Sequence, residues 1–145
     1  MRKRTLSRET ALKILYQLDV VYKQEQDIHM IIDNFFSEQD IRDEKIKDFA
    51  FKLVKGVKDN FDLIDKKISE YATNWELDRM AVVDKNILRI GCLELIFLSD
   101  IPIKVAINEA VEMAKKYSGV ESGKFVNGIL DRIKSERLKP KTTPV

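Results

Sequence analysis

Apolar residues recur along this 145-residue chain at intervals of three and four, the spacing that gathers them on one side of an α-helix. Ala11, Leu15, Leu18 and Tyr22 define a first helix, with Ser7 placed to cap it and Glu9 in its first turn, where a negative charge meets the positive end of the helix dipole. Ile28, Ile31, Ile32, Phe35 and Phe36 mark a short second helix. A third stripe runs through Ile46, Phe49, Leu53, Val57, Phe61, Ile64 and Ile68, and Gly56 and the Asp59-Asn60 pair are where it bends or breaks. After Tyr71 to Trp75 the pattern restarts. Val83, Ile87, Ile90 and Phe97 mark a long fourth helix, nearly apolar all round between Ile87 and Leu98, as a central helix packed on several sides must be. Ser99-Asp100-Ile101-Pro102 stops it and starts the next, over residues 103–117. Ser118-Gly119 closes that helix, and Ser122 is placed to cap a last one carrying Val126, Ile129, Leu130 and Ile133.

No segment alternates as a strand would. The expectation is an all-α fold of about seven helices in one domain, residues 1–139, with residues 140–145 as a disordered tail. A weak boundary near residues 72–77 divides that domain into helical halves of about 5–71 and 72–139. At this length a single core buries roughly two thirds of the unfolded surface without disulfide or metal support.

Charge changes the picture through its distribution. The formal net charge is only +2, but residues 19–50 hold nine acids and four bases, residues 101–141 nine bases and five acids, and residues 1–10 four bases and one acid. The chain is basic at both ends and acidic between, which becomes a polyanion-binding face if the fold joins the ends. The apolar run near Ile90 is interrupted by Glu94, and no segment reaches the roughly 18 to 20 apolar residues of a membrane span. Arg8 and Glu9 follow the basic start at once, leaving no apolar signal region, so a cytoplasmic protein is expected.

Enzyme chemistry is thinly represented. One His, one Cys and no glycine-rich phosphate loop argue against the common zinc, thiol and nucleotide arrangements, and no cofactor or metal is expected. Glu109 and Glu112 have the spacing of a carboxylate metal site but lack the Glu-x-x-His partners of a di-iron bundle. Cys92, in an apolar helix, reads as a buried structural thiol, and His29 as a surface or interfacial residue. Asn108 and Asn127 lie among apolar neighbours and read as buried amides that tie helices together. Phe125 carries two readings. If Ser122 caps its helix, Phe125 falls in the first turn beside Lys124, where an anion is favoured and an aromatic can stack on a base; otherwise it is the first core residue of the helix. Tyr16, on a face adjoining Leu15, raises the same choice.

Several of these residues fall into longer motifs. Arg8-x-x-Ala11-x-x-x-Leu15-Tyr16-x-x-Asp19, Val54-x-Gly56-Val57, Ile87-Leu88-Arg89-Ile90 with Glu94-Leu95, Ile101-Pro102-x-x-Val105-Ala106-Ile107-Asn108-Glu109-Ala110, and Lys124-Phe125-Val126-Asn127-Gly128-Ile129-Leu130-Asp131 occur in order. In this the chain resembles the NusB family of bacterial transcription antitermination factors, from about residue 4 to residue 134. The resemblance implies two roughly perpendicular helical bundles and no enzymatic activity. It implies binding of the single-stranded boxA element of nascent RNA, most strongly together with NusE, a small-subunit ribosomal protein. The complex then joins other Nus factors on RNA polymerase and suppresses premature termination, notably in ribosomal RNA operons. By the same resemblance Arg4 and Arg8 contact RNA, with Arg2 and Lys3 as less certain neighbours, and so do Tyr16, Lys124 and Phe125. Asp84, the acid opening the fourth helix, is assigned to the NusE surface. A homodimer that buries the RNA face is compatible with the resemblance. So are two other readings: the helical RNA-binding domain of an RNA cytosine methyltransferase, and a helical scaffold with no RNA role. Against the former, no glycine-rich cofactor motif or catalytic cysteine domain follows the helices in this sequence.

Overall fold

A computed structural model describes residues 2–20, 27–72 and 77–138. Among these the chain is all-α: α1 (Lys3–Val20), α2 (Ile28–Glu38), α3 (Glu44–Asp59), α4 (Phe61–Tyr71), α5 (Val82–Phe97), α6 (Ile103–Tyr117), α7 (Val120–Ile133) and a one-turn α8 (Ser135–Leu138), with a short 3-10 helix at Leu77–Arg79. Within the boundary expected near residues 72–77, residues 73–76 lie outside the described residues, as does the expected tail, residues 140–145.

Local chemistry sets most boundaries. Asp27 and Asp43 cap α2 and α3, each accepting from two backbone N–H groups of the following turn. The long third stripe breaks at Asn60, whose side-chain amide and backbone N–H both donate to the Gly56 carbonyl at 2.9 and 3.1 Å. That ends α3 and lets α4 start in a new direction. Gly119 holds φ +116°, ψ 176°, a conformation open to glycine and scarcely to any residue with a Cβ, and it turns α6 into α7.

Helix α5 is the axis of the molecule. It contacts α1, α3, α4, α6, α7 and α8, and every residue from Asn86 to Leu95 is buried. Close approach is built in at Gly56 and Gly91, where an added Cβ would lie 2.8 Å from Leu93 Cδ2 and 2.6 Å from Leu130 Cδ1. Helix α1 packs on α3 and α5, and α6 on α7 and α5. The end of α5 is closed by Arg137 of α8, which donates to the carbonyls of Glu94, Leu95, Leu98 and Ile101 at 2.5–3.2 Å, satisfying acceptors that the helix terminus leaves orphaned.

Several sequence readings need correction. Helix α1 starts at Lys3, so Ser7 and Glu9 are inside it and buried; the Ser7 hydroxyl donates to the carbonyls of Lys3 and Ile46. Helix α7 starts at Val120, so Ser122 is no cap and Phe125 sits in the second turn. Asn108 and Asn127 are exposed, because the 100° turn per residue carries each off the apolar stripe of its neighbours. The buried amide is Asn86, 1% exposed, which donates to Asp19 and to the Val82 carbonyl and accepts from Arg89. Cys92 is buried as expected, and burial, with the nearby Asp65 and Glu136 charges, pushes its thiol up to about 12.

Replacing Gly119 by Ala forces a Cβ into that backbone conformation. The expected cost is about 1–3 kcal/mol, seen in urea unfolding as a lower midpoint at unchanged slope.

Candidate nucleic-acid interface

The polar residues flanking the α1 stripe fall into two classes, those locked into the interior and those left at the surface. Arg8 belongs to the first. It is 1% exposed, its Nε lies 3.1 and 3.0 Å from the two Glu94 carboxylate oxygens, its Nη2 lies 2.6 Å from Oε1, and Nη1 approaches Glu109 at 3.5 Å. Thr5 donates to the same Glu109 oxygen at 2.8 Å. Arg8 is therefore not available to an RNA in this arrangement, contrary to the expectation from the resemblance. A guanidinium is retained inside only when paired, and Glu94 is the pair. Burial pushes the Glu94 carboxyl above its usual value despite the hydrogen bonds and charge of Arg8.

A second buried carboxylate ties α1 to α6. Glu9 accepts from Lys116 at 2.7 Å and from the Tyr117 hydroxyl. Burial alone would raise Glu9, but those hydrogen bonds and the Lys116 and Lys13 charges outweigh it and hold the carboxyl below the usual range. Burial and Glu9 together push Tyr117 up to about 12. In a third network a second buried cation, Arg89, is held by Asp65 through two hydrogen bonds of 2.8 and 2.9 Å and by Asp19 at 2.8 Å, with its guanidinium 4.5 Å from the Phe61 ring centroid. Sequence reasoning missed all three networks. The signal was present in Arg89 and Glu94, two charges in an otherwise apolar helix that must be paired if it is central.

The exposed residues line three depressions. At the start of α1, Lys3 and Arg4 line a groove with Lys45, Asp48, Phe49 and Lys52 of α3. Arg4 is exposed, its guanidinium carbon 4.5 Å from the Phe49 ring centroid, and Lys3 pairs with Asp43 at 2.9 Å. Arg2 is exposed beside them. Further along α1, Tyr16, 42% exposed, lines an apolar groove of about 420 Å³ with Leu12, Phe35, Val83 and Tyr117. The third, about 510 Å³, brings Asp84 together with Lys124 and Phe125, and with Arg79, Met80 and Ser122. Phe125 is half-buried against the core while lining this groove, so both readings of it describe part of the residue. Ser122 donates to Asp84 Oδ2 at 3.1 Å, and Asp84 Oδ1 is buried with no hydrogen-bond partner among the described residues. The Tyr16 groove and the Lys124 groove thus meet at the first turn of α5, which contributes Val83 to one and Asp84 to the other. Arg4 lies twelve residues before Tyr16, about 18 Å along α1.

Comparison with known proteins decides the family. The sequence model of the NusB family matches residues 5–135. The chain belongs to the NusB family. It is 43% identical over 133 residues to the transcription antitermination protein NusB of Anaeromyxobacter dehalogenans, covering 92% of this chain and 91% of that one. The NusB of Chloroherpeton thalassium is 44% identical over 129 residues; the match covers 89% of this chain and 60% of that longer relative. Among solved structures, T. maritima NusB superposes with a TM-score of 0.80 at 42% identity, covering 94% of this chain and 92% of that one. A structure of the antitermination factors NusB and NusE in complex with dsRNA gives 0.82 at 31% identity, covering 93% and 98%.

Two measurements check the buried networks. Glu94→Gln strands a buried guanidinium and is expected to destabilise the protein by about 3–5 kcal/mol in urea, whereas Arg8→Met combined with Glu94→Leu recovers most of that loss. Glu9, whose folded-state value lies below its unfolded one, contributes stability that is present at neutral pH and lost as pH falls through its folded value. Glu9→Gln should therefore lower the thermal midpoint at pH 7 and narrow its difference from the parent under acid.

Proposed function

We propose that this chain is a transcription antitermination factor that binds boxA RNA together with NusE and suppresses premature termination in ribosomal RNA operons, acting in the cytoplasm by binding and assembly and performing no chemistry of its own. The observation that carries this reading is membership of the NusB family along residues 5–135, supported by likeness to a NusB that was solved with NusE and RNA. Other Nus factors and RNA polymerase would join the assembly.

The three depressions divide the work. Arg4 supplies a positive charge whose direction is set by the Phe49 ring, with Arg2 and Lys3 adding charge around it. Such contacts position a phosphate backbone without reading sequence. Lys124 and Phe125 supply a charge and an aromatic edge in one groove, the combination that accepts a splayed base. Arg8 acts at one remove, fixing α1 to α5 through Glu94 so that Arg4 and Tyr16 are presented in fixed places. The Tyr16 groove, apolar and partly wet, and Asp84 in the groove that meets it at the first turn of α5 suit a protein partner, and NusE is assigned there.

Fluorescence anisotropy with a boxA RNA checks this. The parent should bind, and bind more tightly with NusE. Phe125→Ala should lose roughly 5- to 150-fold, the range of a single base stack, and Arg4→Ala should lose affinity and lower the salt slope by about 0.7. Unchanged binding by both variants overturns the assigned face.

A further inference from the structure

The groove at the start of α1 holds more positive charge than the N-terminal motif accounts for. Helix α3 carries five lysines, and their partners sort them. Lys47 pairs with Glu44 at 3.5 Å and Lys55 with Asp59 at 2.9 Å, while Lys58 lies 5.7 Å from the Phe61 ring centroid. Lys45 and Lys52 are exposed and form no ion pair among the described residues, and both line the groove of about 370 Å³ that also holds Lys3 and Arg4. Seven residues apart, they share one face of α3, about 10.5 Å from each other along its axis. One acid, Asp48, stands in the lining between them, and Asp43 at the rim is already paired with Lys3. Phe49, the groove's apolar floor, is 7% exposed, so it offers no stacking face and serves to hold Arg4 toward the opening.

We propose that this face of α3 is a second phosphate-holding surface, in which Lys45 and Lys52 extend the path of a bound RNA away from Arg4 and across α3. The inference rests on the RNA-binding reading above and adds to it residues outside every motif that carries the family resemblance. Charge complementarity selects a polyanion, and continuity with Arg4 selects the RNA backbone. The surface contacts phosphate only, so it adds affinity and length dependence without sequence preference.

The test compares salt dependence of RNA binding, by anisotropy between 50 and 200 mM salt, for the full chain, for Lys45→Gln with Lys52→Gln, and for Lys58→Gln with Lys66→Gln as a control of equal charge loss on other faces. Each lost phosphate contact removes about 0.7 from the slope, so over this range the parent should lose about sevenfold more affinity than the α3 double variant. The control should keep the parent's slope. A parent that binds RNA, with an α3 variant matching it in affinity and slope, overturns this inference and leaves the RNA-binding reading intact. Equal losses in both variants reduce the effect to bulk charge and overturn it as well. A parent that fails to bind RNA removes both readings. If the α3 variant keeps its RNA binding but loses binding to poly-L-glutamate, the groove serves an acidic peptide and the RNA assignment falls.

Discussion

Everything at the start of this molecule depends on the pairing of Arg8 with Glu94. Two full charges from helices 86 positions apart in sequence meet where both side chains are at most 2% exposed. Such a pair adds little net stability relative to apolar residues of the same size, since desolvation offsets most of the attraction. Its effect is on specificity: α1 can dock on α5 in one register only, because any slip leaves an unmatched charge in the core. Thr5 and Glu109 extend the same lock to α6. Helix α1 is then held from three sides, by Ser7 on the Ile46 carbonyl, by Arg8 on Glu94 and by Glu9 on Lys116 and Tyr117.

That arrangement explains why the proposed interface is divided. The interior takes Ser7, Arg8, Glu9 and Thr10 from the first half of α1, which leaves Lys3 and Arg4 exposed at its start, with Arg2 just before it, and Lys13 and Tyr16 exposed further along. Each of the two places then borrows its neighbours. Arg4 shares a groove with α3, and Tyr16 shares one with α2, α5 and α6. Lys124 and Phe125 share one with Asp84 in the first turn of α5.

The helices themselves were legible from periodicity, down to the break near Asn60 and the span of α6, because a stripe of seven apolar residues has one geometric meaning. The ends were less so. Ser7 and Ser122 look like caps, yet both hydroxyls are taken by tertiary partners, Ile46 and Asp84, which no local pattern encodes. Asn108 and Asn127 show the same limit in reverse: sequence neighbours are apolar, spatial neighbours are not. Of the proposed site, Tyr16, Lys124 and Phe125 stand within motifs and Arg4 in the basic start before the first of them, whereas charge counted by segment conceals the rest. Residues 19–50 carry a net negative charge, yet α3 turns Lys45 and Lys52 to one side and so places a basic groove inside an acidic stretch. The role of Arg8 was misread for the same reason, since its partner lies in a distant helix.

The separation of Arg8 from Glu94 also has a meaning in time. A ribosome adds about 5–20 residues per second, so roughly 4–17 s pass between the making of the cation and the making of the anion that it will be buried with. During that interval the nascent α1 offers every one of its arginines to whatever polyanion is near, and only completion of α5 withdraws Arg8 from that competition. The exposed charge of the folded chain's start, Arg2, Lys3 and Arg4, is thus what remains of a more basic segment after folding has claimed its share.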